Sequence, residues 1–181
     1  MSLSPASILY NADGVAVTVD PTHLALATID LPHYKVHAGL HHVCHSWSNV
    51  GGAESVLDVL LRVPAAKFPH LKWSFTTGDA FTFTFYEGTI VSANGTALTV
   101  VNNNRNSTNV AGVTTFLSPT VTTAGTALMS GQLSIGARSG GSDSRDSEFI
   151  LKPSTNYLLR FIKSNAGTAF VEHEFSWYEN A

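Results

Sequence analysis

Apolar and polar side chains alternate without a break from Phe81 to Phe85, reading Phe-Thr-Phe-Thr-Phe before Tyr86-Glu87-Gly88. A period of two places Phe81, Phe83 and Phe85 on one face of an extended strand. Trp73 and Phe75 repeat that phase one strand earlier. Phe170, Phe175, Trp177 and Tyr178 mark a further strand that begins after Asn165-Ala166-Gly167. These rings are expected in a core, where each is worth about 2–3 kcal/mol on burial. From Tyr34 onward the pattern predicts strands near 34–47, 55–63, 69–76, 81–86, 97–101, 112–117, 127–134, 146–151, 156–163 and 169–178. Turn clusters separate most of them: Asn49-Val50-Gly51-Gly52, Thr77-Gly78-Asp79, Ala93-Asn94-Gly95, Ala124-Gly125 and Asn165-Ala166-Gly167. Regular spacing of this kind predicts an all-β antiparallel sandwich, jelly-roll-like. Only the stretch from Ala53 to Leu61 could pass for a helix, and its continuous apolar end before Pro64 suits a buried strand about as well.

Residues 1–33 read differently. Asn11-Ala12-Asp13-Gly14 is a hairpin-turn signal, Val15 to Val19 alternates like a strand, and Asp20-Pro21 and Leu31-Pro32 then interrupt the chain. The segment is expected to be an N-terminal arm, hairpin or extended, that gains order against another surface. An extra edge hairpin of the same domain is the alternative. Residues 34–181 then form the sandwich domain. The two longest non-strand tracts, about 102–111 and 136–145, are rich in Asn, Ser and Gly and carry Arg105, Arg138 and Arg145. Loops of that length are usually functional or mobile. Neither contains an aromatic residue, which argues against a sugar-stacking platform.

Composition narrows the classes. At 181 residues the chain fits one domain, with or without an arm. Charged residues make up 13%, about half the usual share, so Thr, Ser, Asn and Gly carry solubility and association through flat faces is favoured. The net charge of −3 supplies no basic field, and the 10 Lys and Arg are dispersed, so free nucleic acid is not an expected partner. No apolar run approaches the ~20 residues of a membrane helix. Met1-Ser2-Leu3-Ser4-Pro5 does not read as a signal peptide, and synthesis in the cytosol is expected.

Candidate chemistry is sparse. Cys44 is the single cysteine and is expected as a small buried hydrophobe. His37, His41, His42 and His45 crowd into nine positions, which raises a metal site. On one strand, His37, His41 and His45 would share a face but stand ~13 Å apart in succession. Ligands ~2.0–2.1 Å from one zinc cannot converge from that spacing. In a helix the i, i+4 spacing would work, but Val36, Cys44 and Trp47 would not then line an apolar stripe. Structural, interface and metal roles stay open for them, with His37, His41 and His45 the weak metal candidates. The carboxylates are scattered, and no nucleophile elbow, phosphate loop or dinucleotide fingerprint occurs. No enzymatic activity and no cofactor are expected.

The chain resembles a family at this point. Phe85-Tyr86-Glu87-Gly88, Val91-Ser92-Ala93-Asn94-Gly95-Thr96, Asn104-Arg105-Asn106-Ser107 and Ser118-Pro119-Thr120-Val121 look like the small structural proteins of tailed double-stranded-DNA bacteriophages. The likeness continues through Arg145, Glu148-Phe149-Ile150-Leu151-Lys152-Pro153, Thr155 to Arg160 and Trp177-Tyr178-Glu179, covering about residues 34–179. These are turn and strand signatures, not catalytic ones. The resemblance implies a capsid decoration or cement protein: a jelly-roll-like subunit, often trimeric, that sits on the outer head surface of the virion and clamps the major capsid protein. Under that reading Asn11, Asp13, Asn104, Arg105, Asn106, Arg138 and Arg145 are candidate interface residues, since Arg is enriched in interfaces. Loop arginines in water are the plain alternative. A receptor- or glycan-binding head-fibre or tail module is the competing function, and an enzyme on the same scaffold a third.

Overall fold

The computed structural model describes residues 31–133 and 148–179. The chain opens with a short helix α1 (Leu31–His37), then runs through four long strands: β1 (His41–Gly51), β2 (Val56–Arg62), β3 (His70–Thr77) and β4 (Phe81–Glu87). Shorter strands follow: β5 (Ile90–Ala93), β6 (Thr96–Ala97), β7 (Val101–Asn102), β8 (Thr114–Leu117) and β9 (Thr120–Thr123). The chain then forms β10 (Thr126–Leu133), β11 (Phe149–Ile150), β12 (Asn156–Lys163) and β13 (Thr168–Tyr178). Two antiparallel sheets face each other, one ordered β11-β3-β13-β1-β7 and the other β10-β4-β12-β2-β8-β6. Strands β1 to β4 alternate between the sheets, and so do β10 to β13, the connectivity of a jelly-roll-like sandwich.

The aromatic alternation builds the core. Phe81, Phe83 and Phe85 point inward from β4 and meet Trp73 and Phe75 from β3. Phe75 lies edge-on to Phe161 at 5.2 Å between ring centroids and 4.7 Å from Phe83, so the two sheets interlock through rings. Two buried charges close the ends. The Lys163 ammonium is fully buried and gives its three protons to Asp79 Oδ2 (2.5 Å), Asn165 O (2.8 Å) and Ala166 O (3.3 Å). At the opposite end Glu179, 3% exposed, accepts from the backbone N–H groups of Gly112 and Val113 and from the Trp177 indole.

A two-stranded sheet of β5 and β9 lies outside both layers. Strand order explains it. β4 and β8 are separated by β12 and β2, so the links from β4 to β6 and from β8 to β10 must each cross that central pair. The two crossings pair with each other, and hydrogen bonds to Asn156, Asp58 and Arg62 hold them across the ends of β12 and β2. Leu60 and Leu158 pair with each other, alternate with the core residues of their strands and are fully buried. β2 is buried on both faces from Leu57 to Leu61, with Asp58 paired to Arg160, and the stretch that could have been helix is strand.

Three expectations are corrected. The strand predicted over 34–47 is a helix to His37 followed by a strand from His41. Pro32 fits the first helical turn, where no intrahelical N–H is needed. Gly39, at φ +68°, ends the helix, with Ala38 N–H bonded to Tyr34 O and Leu40 N–H to Lys35 O. The strand predicted over 97–101 splits into β6 and β7, which belong to different sheets, with residues 98–100 turning the corner. Phe170 is not a core ring: it points out of β13, 41% exposed. The arm expected over 1–33 lies, up to residue 30, outside the described residues.

Candidate functional site

The Asn-rich tract after β7 folds back on the junction between α1 and β1. The Asn102 side chain donates to Gly39 O (2.9 Å) and Asn109 O (3.1 Å) and accepts from Asn104 N–H (2.9 Å). Asn104 donates to His37 O (3.0 Å) and accepts from Asn106 N–H, and Asn109 reaches Gly39 O (3.2 Å). Short amide side chains bridge backbone groups that no ladder satisfies, which is why this tract is asparagine-rich. Asn104 is therefore spent inside the molecule, whereas Arg105 and Asn106 are exposed. A Cβ on Gly39 would collide with the Ser107 side chain, and its φ is left-handed. Gly39→Ala is expected to cost about 1–3 kcal/mol, seen as a lower urea midpoint. An unchanged midpoint would show that the loop is not seated on this glycine.

Between that loop and the outer edge formed by β6 and β8 lies a groove of about 560 Å³. Leu98, Val100, Val113 and Phe116 supply its apolar wall, and Arg105 is the one formally charged residue of its lining. His42 also lines it, 2% exposed, and burial holds its imidazole below the ordinary value despite Glu179 nearby. The size falls within the range of ligand pockets, and the lining combines an apolar wall with Thr and Asn groups at the rim.

The outward face of the five-stranded sheet is the second candidate. His41, Tyr178 and His70 stand side by side across β1, β13 and β3. The Tyr178 hydroxyl donates to Glu148 Oε2 (2.7 Å), and His70 Nδ1 lies 3.0 Å from the same oxygen. The His70 and Tyr178 rings stack at 4.5 Å. Burial first, then the hydrogen bond to Glu148, pushes the phenol up to about 12. It stays protonated and acts as a donor that braces Glu148, the residue before edge strand β11, against the sheet. At the other end of this face Trp47 is 63% exposed, with Phe170 diagonally across β13. The His45–Glu172 pair (2.7 Å) sits beside them on the surface.

The histidine cluster separates. His37 belongs to α1, while His41 and His45 lie four residues apart on the outward face of β1. His41 Nδ1 takes a hydrogen bond from the Asn103 amide at 2.9 Å, and His45 pairs with Glu172. His37 instead meets His33, which the sequence reading had not considered. Among the described residues no group of three or more His, Cys, Asp or Glu side chains is placed to hold a metal. Cys44 is fully buried, takes the Thr115 hydroxyl at 3.1 Å and has its thiol pushed up by burial, the environment of an inert core group.

Asn11, Asp13, Arg138 and Arg145 lie outside the described residues. The sequence reading missed the groove, because its lining comes from a sheet corner and two strand edges that no single motif joins. It also missed Glu179 as an anchor, although a lone acid between Trp177-Tyr178 and the chain's last residues is the one carboxylate in that stretch that follows an aromatic pair. Comparison with known proteins finds no family model, no curated protein and no solved structure that matches this chain.

Proposed function

We propose that this chain is a non-enzymatic virion structural protein that decorates and stabilises the outer surface of a phage capsid as a homotrimer. The observation that carries the reading is the outward face of the five-stranded sheet, with Trp47 and Phe170 exposed on it. A large aromatic side chain held rigid on a strand is the kind of group that anchors protein interfaces. The low charge of the chain supports the same reading, since such a face is desolvated with few ions to strip. So does the resemblance of its turn and strand motifs to capsid decoration proteins.

The copy number of the chain relative to the major capsid protein, measured by quantitative mass spectrometry of purified particles, tests it. A ratio near one-to-one, or a simple lattice fraction, is expected. The paired substitution Trp47→Arg with Phe170→Glu is expected to leave the fold intact and lower shell binding or trimer formation at least tenfold. Full decoration by that variant would remove this face from the reading. The groove beside Arg105 favours a second reading, a receptor- or glycan-binding head-fibre or tail module. That reading requires a handful of copies per particle and a ligand in the groove.

A further inference from the structure

α1 is seven residues long and places two imidazoles on one side, one turn apart. The Nε2 atoms of His33 and His37 are 2.9 Å apart, with ring centroids at 4.8 Å and planes at 25°. Both side chains are exposed. Two nitrogens at this separation share either a proton or a cation. Bound to one metal at ~2.0–2.1 Å each, they would subtend an angle of ~90° at it. That is the cis angle of a square-planar or octahedral centre; a tetrahedral zinc would need the nitrogens ~3.3 Å or more apart. Imidazole suits copper and nickel, and tetragonal geometry is characteristic of Cu(II) and Ni(II).

The pair is held from outside the helix. Asn104 donates to His37 O at 3.0 Å, and the Ala38 and Leu40 N–H groups cap the last turn. Lys35, the helix's cation, lies with its ammonium 5.9 Å from the centre of the Tyr178 ring, and its place two residues from either histidine puts it on another side of the helix. We propose that His33 and His37 form a bidentate chelate for a late first-row divalent cation of the Cu(II) or Ni(II) kind, with solvent in the remaining positions. The site is independent of the capsid reading and unlike the single-strand cluster of His37, His41 and His45.

The test is calorimetric titration of the full chain with Cu(II) or Ni(II) at pH 7.5 in a non-coordinating buffer, with electron paramagnetic resonance of the Cu(II) form. One tight equivalent is expected, with nitrogen hyperfine structure from two imidazoles. His33→Gln and His37→Gln, each checked for an unchanged circular dichroism spectrum, are expected to weaken that equivalent at least tenfold. His41→Gln and His45→Gln are expected to leave it within twofold. Zn(II) is expected to bind more weakly than Cu(II). Wild-type affinity in the His33 or His37 variant overturns the proposal. So does loss of the equivalent on replacing His41 or His45, or failure to saturate at millimolar metal, which would leave the close approach as an N–H···N hydrogen bond.

Discussion

Replacing Glu179 by alanine is expected to cost about 3–5 kcal/mol of folding stability. The carboxylate is 3% exposed and takes hydrogen bonds at 2.9–3.0 Å from the Gly112 and Val113 N–H groups and from Trp177 Nε1. Lys67 Nζ stands 3.9 Å away and supplies the nearest cation. Truncation leaves three donors in a place that ladder partners cannot reach, and buried donors without acceptors carry the full cost of desolvation. Glu179→Gln separates the contributions: it keeps the volume but brings one acceptor oxygen and two N–H donors to a site that wants only acceptors. An intermediate loss of about 1–3 kcal/mol is expected for it. Urea unfolding at pH 7.5 measures both as shifts in midpoint at constant slope. A loss below 1 kcal/mol for the alanine variant would show that water can enter and replace the carboxylate. Gly112 and Val113 end the Asn-rich loop, and Val113 lines the groove, so the groove's far wall depends on this anchor.

Acid is expected to destabilise the fold through His173 well before the carboxylates titrate. The imidazole faces inward from β13, 1% exposed, and neither ring nitrogen has a hydrogen-bond partner. Burial first, and then His45, depress it from 6.5 to about 4. As pH falls below 6.5 the unfolded chain takes up a proton that the folded chain refuses, so equilibrium shifts toward unfolding until about pH 4, where the folded form also protonates. The stability is present above pH 6.5 and its loss amounts to about 3 kcal/mol by pH 4. His41 and His42 are also held below 6.5 by burial and act in the same window. Asp79 and Glu87, lowered chiefly by Lys163 and Lys152, lose their contribution as pH falls below their ordinary values of 3.8 and 4.5. The comparison that isolates His173 is the stability difference between pH 7.5 and 4.5 in wild type and in His173→Leu. A clearly smaller difference is expected in the variant, and equal slopes would place the acid sensitivity elsewhere.

Legibility followed the kind of burial. Strands with one buried face declared themselves: Phe81–Glu87 and Thr168–Tyr178 alternate in sequence because they alternate in the sandwich. β12 was placed at its observed bounds, 156–163. β5 and β9 were not seen, because a crossing ribbon is exposed along much of its length and pairs only with its twin, so no period marks it. The helix at Leu31–His37 straddles the expected boundary between the arm, which ends at 33, and the strand expected over 34–47. Pro32 followed seven residues later by Gly39 was the overlooked signal of a start and a stop. Among candidate residues, Arg105 and Asn106 were recognisable as exposed from their loop, but the role of Asn104 was not. Nothing local says that an amide will reach a carbonyl on His37, 67 positions away.

The pairing of β1 with β13 has a mechanical consequence. Their eleven-residue strands form one antiparallel ladder in which His41 faces Tyr178 and Gly51 faces Thr168. The chain segments before β1 and after β13 therefore leave from the same corner. Tension applied between those two points would open the ladder like a zip, loading one hydrogen-bonded pair at a time beginning at His41 and Tyr178. Tension applied from Gly51 to Tyr178 would shear the whole ladder at once and meet far greater resistance. A pulling experiment with handles at these alternative sites would register the difference as two distinct rupture forces for one folded molecule.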